Sequence, residues 1–156
     1  MDLKELYQDI ILEHGKSPRN FGKCENYNHE AKGHNPLCGD QVQVYLILNK
    51  EKKVEELTFE GSGCAISMAS TSIMTEIVKG KSFDVAKNII DEFLNMIKNG
   101  SEIKAKDLNE DQKTKIMSLS GVKQYPMRVK CATLAWHTLT SAIEGNKEEV
   151  NTEAID

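Results

Sequence analysis

The chain has no cluster of basic residues. Its 20 Lys and Arg are dispersed among 24 Asp and Glu, for a formal net charge of -4. This excludes nucleic acid as a main partner, because such binding draws largely on cationic contacts with phosphate. No stretch approaches the roughly 20 consecutive apolar residues of a membrane-spanning helix, so no membrane role is expected. The opening Met1-Asp2-Leu3-Lys4-Glu5-Leu6 carries neither an apolar signal segment nor a small-residue cleavage site, and a cytoplasmic location is the expectation. Internal repeats and low-complexity tracts are also missing. Cysteines number four. In a reducing compartment they are better explained by packing, metal binding or reactivity than by disulfides.

The 156 residues, 39% hydrophobic and 28% charged, suffice for one domain with a hydrophobic core. Leu3, Leu6, Tyr7, Ile10, Ile11 and His14 recur at helical spacing, predicting a helix from residue 2 to about 14, with Asp2 as N-cap and Gly15 as its stop. Residues 16–36 are polar and read as loop with one short strand near 28–34. From Gln41 the period becomes two: Val42, Val44, Leu46 and Leu48 share one face, and Leu57 and Phe59 alternate likewise after the charged turn Asn49–Lys53. This predicts an antiparallel hairpin with one buried face.

Helical patterning then takes over. Ala65 to Ile77 carry a stripe of small residues, and a second helix runs from a Ser82 N-cap to Gly100. The charged segment 101–120 holds only sparse apolar anchors (Leu108, Ile116, Leu119), compatible with a solvated helix or a docking surface. A last helix opens near Cys131. Strands followed by helices predict an α+β fold, a small antiparallel β-sheet packed against a layer of α-helices. One domain is expected over 1–144, with an acidic, flexible tail over 145–156.

Cys38 lies in the turn Asn35-Pro36-Leu37-Cys38-Gly39-Asp40, where Gly39 permits a sharp bend that turns thiol and carboxylate to one point. Cys64 follows Gly61-Ser62-Gly63 and begins a helix. Cys131 is read as beginning another, after Arg128 and Lys130. A helix N-terminus and neighbouring cations both lower a thiol pKa. Cys24 has no such context and is left out. Cys38, Asp40, Cys64 and Cys131 form a donor set suited to zinc or iron. Their intervals match no regular zinc finger, and the alternative is that the cysteines are small core residues. His34 near Cys38 makes a Cys–His hydrolase conceivable, but neither an oxyanion-hole motif nor an orienting third residue supports it. His14 is expected to pack against the loop at Pro18, His137 to lie on the surface, and Trp136 to belong to core or interface.

Asn35-Pro36-x-Cys38-Gly39-Asp40, Gly61-Ser62-Gly63-Cys64-Ala65-Ile66-Ser67-Met68-Ala69-Ser70 and Arg128-Val129-Lys130-Cys131-Ala132-Thr133-Leu134 occur in that order. With Asp9-x-x-x-x-His14 and Pro18-Arg19-Asn20-x-Gly22, they resemble the SufU-type branch of the IscU/NifU N-terminal family of iron–sulfur cluster assembly. The resemblance implies metal ligation by Cys38, Asp40, Cys64 and Cys131. IscU-type scaffolds have His immediately before the last cysteine, where this chain has Lys130. They carry Leu-Pro-Pro-Val-Lys where it reads Tyr125-Pro126-Met127-Arg128-Val129-Lys130. The 66 residues between Cys64 and Cys131 look like the SufU-type insertion, placed at about 101–125.

SufU-like proteins imply a zinc-dependent sulfurtransferase. Such a protein accepts persulfide sulfur from a pyridoxal-phosphate cysteine desulfurase (SufS-like) and works with downstream Suf cluster-assembly proteins. Cys38 is the expected acceptor, because its turn moves more easily than a helix start. Arg128 is expected to pair with Asp40 when that carboxylate leaves the metal. Two other readings stand beside this one: a scaffold on which iron forms a transient [2Fe–2S] cluster, and a structural zinc domain.

Overall fold

The computed structural model describes residues 2–154. Helix α1 (Leu3–Lys16) opens on Asp2, whose side chain accepts the Glu5 N–H. The helix runs through the expected stop at Gly15 and ends with Ser17 as its C-cap. Strands β1 (His29–Asn35), β2 (Asp40–Leu48) and β3 (Val54–Ser62) form an antiparallel meander. Val44 pairs with Phe59 and Leu46 with Leu57, all fully buried, so the alternation seen in the sequence is the buried face of this sheet.

Helices α2 (Ala65–Val78) and α3 (Phe83–Asn99) follow, with Cys64 and Ser82 as N-caps. Their Ile73, Met74, Ile77, Ile89, Ile90 and Phe93 join the sheet residues in a continuous core. Each such side chain contributes about 1.5–3 kcal/mol when taken from water. The charged segment is more anchored than its composition suggests. Helix α4 (Glu110–Met117) starts in a capping box between Asn109 and Gln112, and Ile116 and Leu119 are fully buried. Lys115 Nζ reaches Glu76 on α2 at 3.3 Å.

The last helix, α5 (Pro126–Glu144), begins five residues earlier than its apolar spacing indicates. Pro126 occupies the first helical position, where a missing N–H costs nothing and the fixed φ is already helical. Cys131 is therefore in the second turn and not at the helix start. Trp136 is the bolt of this helix: it is fully buried, stacks on Phe93 at 4.0 Å between ring centroids, and donates its Nε1–H to Ser70 Oγ at 2.9 Å.

Val150–Asn151 forms β4, parallel to β1 at the sheet edge, which gives a mixed sheet of order β3-β2-β1-β4. A 3₁₀ turn, Thr152–Ala154, follows, with Thr152 buried. Backbone pairing to β1 and one buried hydroxyl give this acidic stretch its contacts with the domain. The expected tail's residues 155–156 lie outside the described residues.

His14 is buried against α2, where the Ser72 hydroxyl it meets also accepts the Arg19 N–H from the loop after Pro18. Its Nδ1 lies 2.7 Å from Ser72 Oγ, and its Nε2 lies 3.5 Å from Glu76. Burial lowers its pKa and Arg19 adds to that, with Glu76 opposing. A depressed folded-state value means that the unfolded chain binds the proton more readily. Stability is thus full above the unfolded histidine pKa near 6.5 and falls as pH drops through it toward the folded value. Urea melts at pH 7.5 and 5.5 are expected to show this loss, and His14→Gln is expected to flatten it. An equal pH dependence in both proteins would exclude His14 as its source.

Candidate metal centre

The β1–β2 turn, the entry to α2 and the second turn of α5 converge at one end of the strands. The turn between β1 and β2 is closed by the Cys38 and Gly39 N–H groups, both donating to the Asn35 carbonyl, at 3.3 and 2.9 Å. Gly39 sits at φ +73°, a left-handed conformation that costs other residues energy. The turn leaves Cys38 exposed at its tip and returns the chain into the core at Asp40, which is fully buried. Cys131 arrives from the second turn of α5, also buried. The donor atoms of Cys38, Asp40 and Cys131 all lie within 4.8 Å of one another.

Cys64 stands at the rim. Its thiol caps α2 by accepting the Ser67 N–H at 3.4 Å, and its own N–H donates to Asp40 Oδ1 at 2.9 Å. The structure thus groups three of the four expected residues tightly, and it ties the fourth to the same carboxylate through the backbone. Gly63 makes this contact feasible: a Cβ there would collide with the Asp40 carboxylate.

A lowered pKa for Cys131 is not what the structure gives. Burial, followed by its hydrogen-bonding neighbours Asp40, Cys38 and Cys64, raises the thiol well above the ordinary range. The residue is past the helix end where the dipole acts, and the two expected cations point elsewhere. Lys130 Nζ pairs with Glu153 at 2.8 Å. Exposed Arg128 lies over the Tyr125 ring at 4.9 Å and is not brought to Asp40.

Asn35, fully buried, also joins the centre. Its Nδ2 faces Asp40 Oδ2 at 3.2 Å and Cys131 Sγ at 3.6 Å. Asn35 belongs to the motif that starts the Cys38 turn, and its position five residues before Asp40 was the available signal. His34 lies beside Glu149, Nδ1 to Oε1 2.8 Å, and not in the thiol group. His137 is half-buried, and Trp136 is core. Cys24 is buried elsewhere, its thiol donating to the Glu25 carbonyl at 3.4 Å.

These residues fit a cation. Asp40 is a buried carboxylate that receives neutral N–H donors, and among the described residues no basic side chain pairs with it. A buried negative charge of that kind requires a positive partner. Thiolates with one carboxylate suit zinc or iron, and a tetrahedral zinc shell spaces such donors by about 3.5–3.8 Å.

A helical layer packs on a small mixed sheet, and cysteines and an aspartate gather at one end of its strands. The chain belongs to the family described as the NifU-like N-terminal domain, whose profile matches residues 6–132. It is 38% identical over 148 residues to the zinc-dependent sulfurtransferase SufU of Bacillus subtilis, covering 95% of each chain. It is also 36% identical over 142 residues to the iron–sulfur cluster assembly scaffold protein IscU of Streptococcus pyogenes, covering 91% of this chain and 85% of that one. Its fold matches the crystal structure of FiSufU from Fervidobacterium islandicum with a TM-score of 0.77 and 37% identity, over 89% of this chain and 97% of that one. Among the described residues, no helix is long and apolar enough to cross a membrane.

Proposed function

We propose that this protein is a zinc-dependent acceptor of persulfide sulfur, working with a pyridoxal-phosphate cysteine desulfurase and handing sulfur to downstream cluster-assembly proteins. One observation carries the reading: an exposed thiol, Cys38, sits on a glycine-hinged turn beside a buried thiol and a buried carboxylate. Cys38, Asp40, Cys64 and Cys131 would hold the metal. Bound zinc keeps coordinating thiols deprotonated at neutral pH.

The chain's own residues divide the work. Cys131 is buried in α5 and Cys64 is fixed as the cap of α2, so neither thiol can travel far. Cys38 is exposed on a short turn and can reach a partner's reactive sulfur. Its thiolate attacks the outer sulfur of the desulfurase persulfide, a bond forms to that sulfur, and the old S–S bond breaks. The donor cysteine leaves as a thiolate, Cys38 becomes the persulfide, and no external oxidant or reductant is consumed. Asp40, held by the Cys64 N–H and by Asn35, keeps its position while Cys38 moves.

A scaffold for a [2Fe–2S] unit uses the same donors and is supported by the likeness to proteins named IscU. Against it stands Lys130, engaged with Glu153 where IscU-type scaffolds resemble one another in carrying His. Metal and acid-labile sulfide analysis of anaerobically purified protein separates the two. The expected result is about one zinc per chain without sulfide; iron with matching sulfide would establish the scaffold reading instead.

A further inference from the structure

The tail at the edge of the sheet reaches the metal centre by a chain of buried hydrogen bonds. Strand β4 lies alongside β1, Val150 opposite Gly33 and Asn151 opposite His34. This pairing delivers Thr152 to the next position, where it is 2% exposed and its hydroxyl donates to Asn35 Oδ1 at 3.0 Å. The other end of the same amide, Nδ2, faces both Asp40 and Cys131. The next residue, Glu153, closes an ion pair with Lys130, the residue before Cys131.

We infer that Thr152 is a positioning residue for the metal centre, acting through Asn35. The inference rests on the reading of Asp40 and Cys131 as metal ligands. The amide has two distinct ends, and with Asp40 and Cys131 as metal ligands the two anionic groups at one end would attract only its N–H side. Both of its protons then serve the centre, one toward the carboxylate oxygen and one toward the sulfur. The carbonyl end points into protein, away from water, and Thr152 is the partner that satisfies it. Without that hydroxyl, a buried carbonyl is left unmade, and the amide gains by turning or shifting. Either movement withdraws an N–H from Asp40 or Cys131. Hydrogen bonds of this kind orient ligands and tune their charge, and their loss typically weakens metal binding about 10- to 100-fold.

The tail thus joins the site although it touches none of the four donors. The test uses the full chain in three forms: wild type, Thr152→Val, which keeps shape and removes the hydroxyl, and Thr152→Ser, which keeps the hydroxyl. Zinc affinity is read by chelator competition, and the cobalt(II) form is read by its thiolate charge-transfer and d–d absorption. Thr152→Val is expected to bind zinc about 10-fold more weakly with a shifted cobalt spectrum, and Thr152→Ser to restore both. A purely structural tail would lower the melting temperature of the metal-free chain while leaving spectrum and affinity alone. Wild-type affinity and spectrum in Thr152→Val, or failure of Thr152→Ser to rescue, would overturn the inference while the metal-centre reading stands. A wild-type chain that binds neither zinc nor cobalt would overturn both.

Discussion

Replacing Cys38 with alanine is expected to lower the rate of sulfur acceptance from the desulfurase by on the order of 10²-fold or more, even with zinc saturating. Cys38 is exposed at the tip of its turn and is the attacking thiol of the proposed exchange, which cannot proceed without that sulfur. Cys64 is exposed as well, but its thiol caps α2 and its N–H is committed to Asp40. Cys64→Ala is therefore expected to weaken metal binding more than it alters the identity of the acceptor. Cys24→Ala supplies the control: that residue lies outside the thiol group, and the variant is expected to accept sulfur at the wild-type rate. Sulfide release by the desulfurase, followed with each variant at matched zinc occupancy, checks the three expectations together. A Cys38→Ala protein that still stimulates turnover like wild type would move the acceptor role to another cysteine.

The second large effect is expected at Gly63, which carries no donor atom itself and directly precedes Cys64. A side chain there meets the Asp40 carboxylate, with its Cβ and Cγ 3.1 Å from the added carbon. Real Cβ contacts of that kind force a neighbour to shift, and the neighbour is a buried ligand candidate held on both oxygens. Gly63→Ala is expected to weaken zinc binding about 10- to 100-fold and to cost the folded chain about 1–3 kcal/mol through overpacking. Gly121→Ala, whose added carbon meets nothing within 4 Å, should do neither. Isothermal titration with zinc and urea denaturation of the metal-free proteins measure the two effects. Wild-type zinc affinity in Gly63→Ala would show that Asp40 is not held where the structure has it, or not used.

The parts of the site that rest on local geometry were legible in the sequence. A glycine directly after Cys38 and a Gly-Ser-Gly run before Cys64 mark a tight turn and a helix entry, and both are present. Cys131 was harder. Apolar spacing sees only where a helix becomes buried, and α5 emerges from solvent over Met127 and Arg128 before it does so. The proline that opens it was the better signal. Asn35, the neutral amide beside the carboxylate, drew no notice in the sequence because charge singles out Arg128, which here lies exposed over Tyr125. Burying a guanidinium in that crowded centre would add a desolvation cost that an amide avoids. Thr152 was beyond reach altogether. It lies 117 residues from its partner Asn35, in a three-residue 3₁₀ turn after a two-residue strand, both too short to show a period.

The most direct measurement is the mapping of transferred sulfur after a single desulfurase turnover. The zinc-loaded protein is mixed with desulfurase and isotopically labelled cysteine, alkylated at once, digested and read by mass spectrometry. The account predicts the added labelled sulfur on the peptide carrying Cys38, with Cys24, Cys64 and Cys131 alkylated but unlabelled. Label mainly on Cys64 or Cys131 would contradict it, since the capped and the buried thiols would then be the ones that reach the partner.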